Sequence, residues 1–300
     1  MDQSIPSHPL NGSPSAGRRL PEWFKITPKR DDRYQRLKRL VADLNLHTVC
    51  EEAHCPNIWE CWNAGTATIM ILGETCTRSC GFCAVKTGRP SELDLDEPRR
   101  VAEAVSTLGL RHAVITSVNR DELHDGGAAI FADTIRRIRA ATPGCTVEVL
   151  IPDFKGAHAA QDTVFDARPD ILNHNTETVP RLYPTVRSGA RYRRSLQLLS
   201  NVKKFSPEMR SKSGVMVGLG EGMEELLEVF HDLAAQKVDI LTVGQYLRPS
   251  KDHLPIARFY TPEEFRTLKQ RALAMGFRHV ESGPLVRSSY HAHEQAQSAV

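Results

Sequence analysis

Six short, β-rich apolar runs recur along this chain with helical patterns between them, and that alternation limits the fold more than any other feature. The runs are Thr68 to Leu72, His112 to Val118, Thr146 to Ile151, Asp170 to His174, Gly214 to Gly218 and Asp239 to Val243. Strands that alternate with helices build βα units, and these assemble into a parallel sheet covered by helices. Val101, Ala104, Val105 and Leu108 form one helical stripe, stopped by Gly109, and Leu226, Leu227, Phe230 and Leu233 form another. A later helix carries complete end signals: Thr261 as cap, Pro262 in the first turn, Glu264 closing a capping box and Gly276 past the end. An open doubly wound sheet and a full or partial barrel fit this periodicity equally. In both, the functional loops leave the carboxyl ends of the strands.

The cysteines gather at such a place. Six of the seven, Cys50, Cys55, Cys61, Cys76, Cys80 and Cys83, fall within 34 positions. Disulfide frameworks belong mainly to short secreted chains that lack a core. This chain has 300 residues, 40% of them hydrophobic and 25% charged, enough to bury a large core. Cys145 stands apart after Pro143 and Gly144 and reads as an incidental free thiol. Cys76, Cys80 and Cys83 follow the first strand directly and supply three thiolates from one loop. Soft thiolates select iron-sulfur clusters, zinc or copper(I), and three in place of four leave a corner free for a substrate or cofactor. Cys50, Cys55 and Cys61 offer a second set upstream, for which zinc with His54 as fourth ligand is the alternative to a cluster.

Residues 1–20 are rich in Ser, Pro, Gly and Asn, and a flexible tail is expected there. From Lys29 to Arg39 six basic and two acidic residues accompany Tyr34, Leu37, Leu40, Val41 and Leu44 at helical spacing, which predicts an amphipathic helix with a solvated basic face. A net charge of +3 gives no strong field for nucleic acid. No stretch approaches the roughly 18 to 20 apolar residues of a membrane span, and the first residues lack an apolar signal-peptide core. A soluble, cytoplasmic protein without membrane or nucleic-acid partners is expected. The Gly218-Leu219-Gly220-Glu221-Gly222 run lacks the Lys and the spacing of a phosphate loop, and neither a His-Glu-x-x-His helix nor a Gly-x-Ser-x-Gly elbow is present.

The Cys76-x3-Cys80-x2-Cys83 loop resembles the signature of the radical S-adenosylmethionine (SAM) superfamily. Cys50-x4-Cys55-x5-Cys61, within the stretch that ends Ile58-Trp59-Glu60-Cys61-Trp62, is similar to the lipoyl synthase family of that superfamily. So is Arg287-Ser288-Ser289-Tyr290, with Ala292 in place. The resemblance covers roughly Leu20 to Ala292. It implies an α/β fold: a partial (β/α)6 TIM-type barrel over 66–277. An N-terminal extension over 21–65 and a C-terminal extension over 278–300 would carry an auxiliary cluster.

Two 4Fe-4S clusters and SAM follow from the same resemblance. Cys76, Cys80 and Cys83 would hold the catalytic cluster, whose fourth iron binds SAM. Cys50, Cys55, Cys61 and Ser289 would hold the auxiliary one; without the family, Ser288 and Ser289 read as a turn or helix cap. Gly126 and Gly127 would meet the SAM amino group through backbone, against the alternative of a plain loop. Asn175 and Glu177 would bind SAM through hydrogen bonds, against simple loop capping. Arg187, Arg191, Arg193 and Arg194 could face a carboxylate or an acidic carrier, although a solvated face fits most of them.

The implied activity is radical insertion of two sulfur atoms, at carbons six and eight of a protein-bound octanoyl-lysine, with the auxiliary cluster as sulfur source. The implied partners are octanoylated lipoyl carrier domains, namely the glycine-cleavage H protein and the 2-oxoacid dehydrogenase acyltransferase subunit, and an electron donor such as flavodoxin or ferredoxin. A sulfur inserter of the biotin-synthase type shares the Cys76 loop without accounting for the Cys50 triad and Ser289 together. A zinc-binding, non-enzymatic module would be colourless and inert toward SAM.

Overall fold

One eight-stranded sheet, in sequence order, organises the chain. The computed structural model describes residues 20–25, 32–53, 55–64, 66–90, 92–292 and 294–295. The expected N-terminal tail before Leu20, the start of the basic helix at Lys29 and the candidate zinc ligand His54 lie outside these residues. The chain runs through α1 (Asp32–Asp43), β1 (His47–Thr48), α2 (Val49–Glu52) and α3 (Ile58–Asn63). Next come β2 (Thr68–Ile71), α4 (Glu97–Leu108), β3 (His112–Ser117), α5 (Ala128–Ala141), β4 (Thr146–Leu150) and α6 (His158–Asp166). After β5 (Ile171–Asn173) follow α7 (Tyr183–Val186), α8 (Tyr192–Phe205), β6 (Arg210–Val217) and α9 (Met223–Ala235). The last elements are β7 (Ile240–Gln245), α10 (Pro262–Ala274) and β8 (His279–Gly283).

Strands β2 to β8 pair in parallel, and only β1 pairs antiparallel, against β2. The six expected runs are β2 to β7, each followed by helix, which gives the (β/α)6 arrangement. The sheet also extends one strand further at each end. A two-residue strand such as β1 is too short to leave a pattern, and β8 alternates half-buried polar residues around Val280.

Strand β6 starts four residues before the expected Gly214, at Arg210. Arg210, Ser211, Lys212 and Ser213 read as polar loop, yet Lys212 is fully buried and bonds Glu148 of β4 at 2.8 Å. The same alternation shows in β4, where Val147 and Val149 join the helix-packed core and Glu148 faces the other way. Helices cover the outer face, with Val101 and Val105 of α4, Phe131 and Ile135 of α5, and Val164 and Phe165 of α6 buried against β2 to β5. Leu226, Phe230 and Leu233 of α9 and Phe265 and Leu268 of α10 close a second cluster over β6 to β8. Full burial of each such side chain is worth about 1.5–3 kcal/mol.

The end signals act as read. Gly109 terminates α4 in the left-handed region at φ 59°, and Thr261 and Glu264 form the reciprocal capping box of α10. In α1, Tyr34, Leu37 and Val41 are buried, and Tyr34 packs on Trp59 and Trp62 of α3 at 4.3 and 5.1 Å between ring centres. Its basic face is exposed but not idle, since Arg33 donates to the Asn63 carbonyl and Arg36 to that of Thr107, each at a helix C-terminus. Among the described residues no helix is long and apolar enough to cross a membrane.

Candidate active site

The loop after β2 leaves the carboxyl end of the sheet and returns beside itself. Cys76 donates its N–H to the Lys86 carbonyl at 2.8 Å and accepts from the Gly88 N–H at 3.0 Å, so both limbs of the loop are pinned. Three donors converge on the Cys76 sulfur: the backbone N–H of Arg78 at 3.4 Å, that of Asn119 at 3.3 Å, and the Asn119 side-chain amide at 3.7 Å. Such donors stabilise a thiolate and tune a metal centre held by it. The Cys83 N–H bonds the Cys80 carbonyl at 3.1 Å, which closes the turn between those two cysteines. Gly81, between them, sits where a Cβ would lie 2.9 Å from the Leu254 side chain and 3.0 Å from the Thr185 carbonyl.

Arg78, inside the cysteine loop, is buried and donates to both carboxylate oxygens of Asp121, at 2.7 and 2.8 Å, and to Asp153 at 2.7 Å. Arg194 adds a second guanidinium to Asp153 at 3.1 Å. Burial would raise the Asp153 carboxyl, but the Arg78 charge more than reverses this and holds it at about 2. This anchor between loop and barrel was not foreseen. Its one sequence signal was a charged residue within a cysteine motif.

Asn175 and Glu177 do reach this site. Glu177 stands in the left-handed region at φ 66° and bonds the edge of β6 through Gly214 and Met216. Its carboxylate accepts from Asn175 at 3.0 Å. Burial raises the Glu177 carboxyl, opposed by Arg187, and the charges of both Arg187 and Glu177 are felt at the Cys80 thiol. Arg187 also donates to the Asn175 carbonyl at 2.8 Å. The Asn175 amide oxygen is buried without a partner among the described residues, a polar atom suited to an incoming ligand. Of the four clustered arginines, Arg187 and Arg194 therefore turn inward, whereas Arg191 and Arg193 are exposed.

Gly126 and Gly127 have structural duties at the same end of the barrel. Both are left-handed, at φ 61° and 90°, and the Asp125 carboxylate caps the start of α5 by accepting from Gly127 and Ala129. A Cβ on Gly127 would lie 2.3 Å from Leu72, the residue that launches the cysteine loop. In the Gly218 to Gly222 loop, the N–H groups of Gly218 and Leu219 are taken by the Glu221 carboxylate at 2.6 and 2.9 Å, so the nest is filled from within the chain.

A pocket lies where residues 50–68 meet the segment that follows β8. Cys50, Cys55 and Cys61 line it together with Thr66, Thr68, Arg287, Ser289 and Tyr290. Two contacts pin the C-terminal segment there: Asn57 donates to the Leu285 carbonyl at 2.6 Å, and Tyr290 to Glu60 at 3.2 Å. Burial pushes the Cys50 thiol up to about 11 and also raises Cys55 and Cys61, with thiol neighbours adding to the rise at Cys50 and Cys61. Burial likewise raises Cys80 to about 11 and Cys83 to about 12. Thiols raised in this way, at Cys50, Cys55 and Cys61 and at Cys80 and Cys83, are matched to a cationic centre that favours the thiolate. Among the described residues no three His, Cys, Asp or Glu side chains are placed to hold a single metal ion. A multi-iron cluster spreads its ligands around a larger body, which suits Cys50, Cys55 and Cys61, the three thiols that line one pocket. Cys145, just ahead of β4, is buried, and that burial raises its thiol to about 11; it is remote from either group in sequence.

The model of the radical SAM superfamily matches residues 70–233, and that of the N-terminal domain of lipoyl synthase of the radical SAM family matches residues 10–55. Lipoyl synthase of Koribacter versatilis is 64% identical over 278 residues, 93% of this chain and 91% of that one. Lipoyl synthase of Rubrobacter xylanophilus is 64% identical over 279 residues, 93% of this chain and 87% of that one. Among solved structures, Streptococcus suis SuiB bound to S-adenosylmethionine is similar at a TM-score of 0.57 and 12% identity, over 83% of this chain and 60% of that one. The FeFe-hydrogenase maturase HydG from Carboxydothermus hydrogenoformans is similar at 0.57 and 14% identity, over 88% and 69%. These two likenesses bear on the fold.

Proposed function

The chain belongs to the lipoyl synthase family of radical SAM enzymes, and on that premise we propose a division of labour between its two cysteine sets. Cys76, Cys80 and Cys83 hold a 4Fe-4S cluster at three corners and leave the fourth to SAM. Cys50, Cys55, Cys61 and Ser289 hold a second cluster, which is the source of sulfur. When bound, these groups supply what no side chain can: one-electron cleavage of SAM, a radical able to take hydrogen from an unactivated carbon, and sulfide for the new bonds.

The protein's part is to hold and shield. Asn119 and Arg78 donate N–H groups to Cys76, and the Arg78 to Asp153 anchor keeps the loop seated. Asn175 and Glu177 offer a free amide oxygen and a carboxylate to the polar end of SAM, and Arg187 sets their orientation. Gly126 and Gly127 offer their backbone to the SAM amino group. The substrate is an octanoyl chain on a carrier protein; the glycine-cleavage H protein and the acyltransferase subunit of 2-oxoacid dehydrogenases are the carriers proposed. Flavodoxin or ferredoxin serves as electron donor, and the reaction takes place in the cytoplasm.

One observation carries the reading. Ser289, near the far end of the chain, lines the same pocket as Cys50, Cys55 and Cys61, which supports its oxygen as the fourth ligand beside three thiols. Iron content tests it. Anaerobically prepared protein is expected to hold about eight irons per chain, and the triple variant Cys50→Ala/Cys55→Ala/Cys61→Ala about four. A parent protein with only about four irons, all lost on changing Cys76, Cys80 and Cys83, would leave the upstream pocket without a cluster.

A further inference from the structure

Thr68 and Ser289, 221 positions apart, share a hydrogen bond of 2.7 Å in which the Thr68 hydroxyl donates to Ser289 Oγ. We propose that Thr68 is the positioning residue for the fourth ligand of the auxiliary centre: its hydroxyl fixes Ser289 Oγ among the three cysteines. The inference rests on the reading of Ser289 as a ligand and adds the residue that orients it.

The two partners differ in rigidity. Thr68 opens β2, pairs with Val114 of β3, is 5% exposed and is β-branched, so its side chain is held by strand and core. Ser289 lies in the turns that follow β8, and a serine hydroxyl there has three staggered positions open to it. A donor from the strand selects among them. An oxygen that accepts from Thr68 still keeps a second lone pair for a metal.

The neighbouring serine is tied by a separate device. Asn173, at the end of β5, donates to Ser288 Oγ at 2.8 Å and to the Glu148 carboxylate at 3.1 Å, and Lys212 holds that carboxylate in turn. Ser288 therefore fixes the segment to the barrel interior, while Thr68 aims the residue after it. Thr68 also lines the pocket itself, beside the three cysteines and Ser289. Groups that orient a metal ligand in this way typically change metal affinity by 10- to 100-fold when removed.

The test compares Thr68→Val, Thr68→Ser and Ser289→Ala with the parent, each carrying both clusters. Valine keeps shape and branching without the hydroxyl, and serine keeps the hydroxyl. Two readouts need no turnover: the Mössbauer signature of the auxiliary cluster, and the rate at which its iron passes to a chelator. Retained SAM binding by the Cys76 loop shows that each variant is folded. Thr68→Val is expected to alter the signature of one iron site and to release auxiliary iron about tenfold faster, while Thr68→Ser behaves as the parent. If Ser289→Ala shows those changes and Thr68→Val shows none, Ser289 stands as a ligand and the role of Thr68 is overturned. If Ser289→Ala itself matches the parent, the ligand reading fails and Thr68 has nothing to position.

Discussion

Arg78 and Asp153 are joined at 2.7 Å across 75 positions of sequence, so a residue between two cysteines of the Cys76 loop is tied to the loop after β4. Because the carboxylate is fully buried and also accepts from Arg194, the cysteine loop depends on an ion pair screened from water.

Asp153→Asn should cost about 3 kcal/mol at neutral pH, the range for breaking a buried pair on one side, and should weaken SAM cleavage with it. Arg78 holds the native carboxyl at about 2, below its unfolded value of about 3.9. A carboxylate depressed on folding stabilises the native state above its unfolded pKa and loses that contribution as pH falls through the folded one. The gap in urea midpoint between parent and variant, both free of clusters, should therefore be flat from about pH 8 to 5 and close between about pH 4 and 2. A gap that widens on acidification would contradict the pairing.

The barrel interior makes a second prediction. Glu148 and Lys212 are both fully buried and meet at 2.8 Å; burial acts against Glu148 ionising, yet Lys212 and His112 hold it at about 2. Lys212→Met strands that charge and should cost about 3–5 kcal/mol, whereas Glu148→Leu/Lys212→Met should recover most of the loss. Urea unfolding of the two single variants and the double one measures the coupling, and additive losses would show that the pair is not coupled.

Glycines of like conformation should separate by what surrounds them. Gly109→Ala at φ 59° has open space and should cost about 1 kcal/mol, since only backbone strain opposes it. Gly127→Ala at φ 90° drives a Cβ into Leu72 and should cost about 1–3 kcal/mol more. The N–H and carbonyl of Leu72 are held by Glu97 and Arg120, so the push reaches the cysteine loop. SAM affinity, read by equilibrium dialysis, should fall in Gly127→Ala and hold in Gly109→Ala. Unchanged affinity in both would leave Gly127 a packing residue alone.

What sequence reading could reach follows from range. Caps such as Thr261 and stops such as Gly109 act within a turn or two of chain, and six strands announce themselves by apolar runs. Cysteine spacing pointed to metal binding because a short loop must supply its ligands locally, while the choice of iron-sulfur over zinc or copper came from family resemblance. Lys212 was hidden by its own polarity: its burial makes sense only beside Glu148, 64 positions away. The bond from Thr68 to Ser289 and the anchor from Arg78 to Asp153 were out of reach for the same reason. Ser289 itself read as a turn residue until family resemblance singled it out, because an isolated serine carries no periodic or spacing signal.

The most direct measurement of the division of labour is a paired assay of 5′-deoxyadenosine and lipoyl product in Cys80→Ala and Cys55→Ala, each supplied with SAM, reductant and an octanoyl-lysine carrier. Cys80→Ala should form neither, having lost the ligand set that presents SAM. Cys55→Ala, with its Cys76-loop cluster shown intact by iron content, should go on forming 5′-deoxyadenosine while making no lipoyl product. Equal loss of 5′-deoxyadenosine in the two variants, or lipoyl product from Cys55→Ala, would contradict the assignment of radical chemistry to one cysteine set and sulfur to the other.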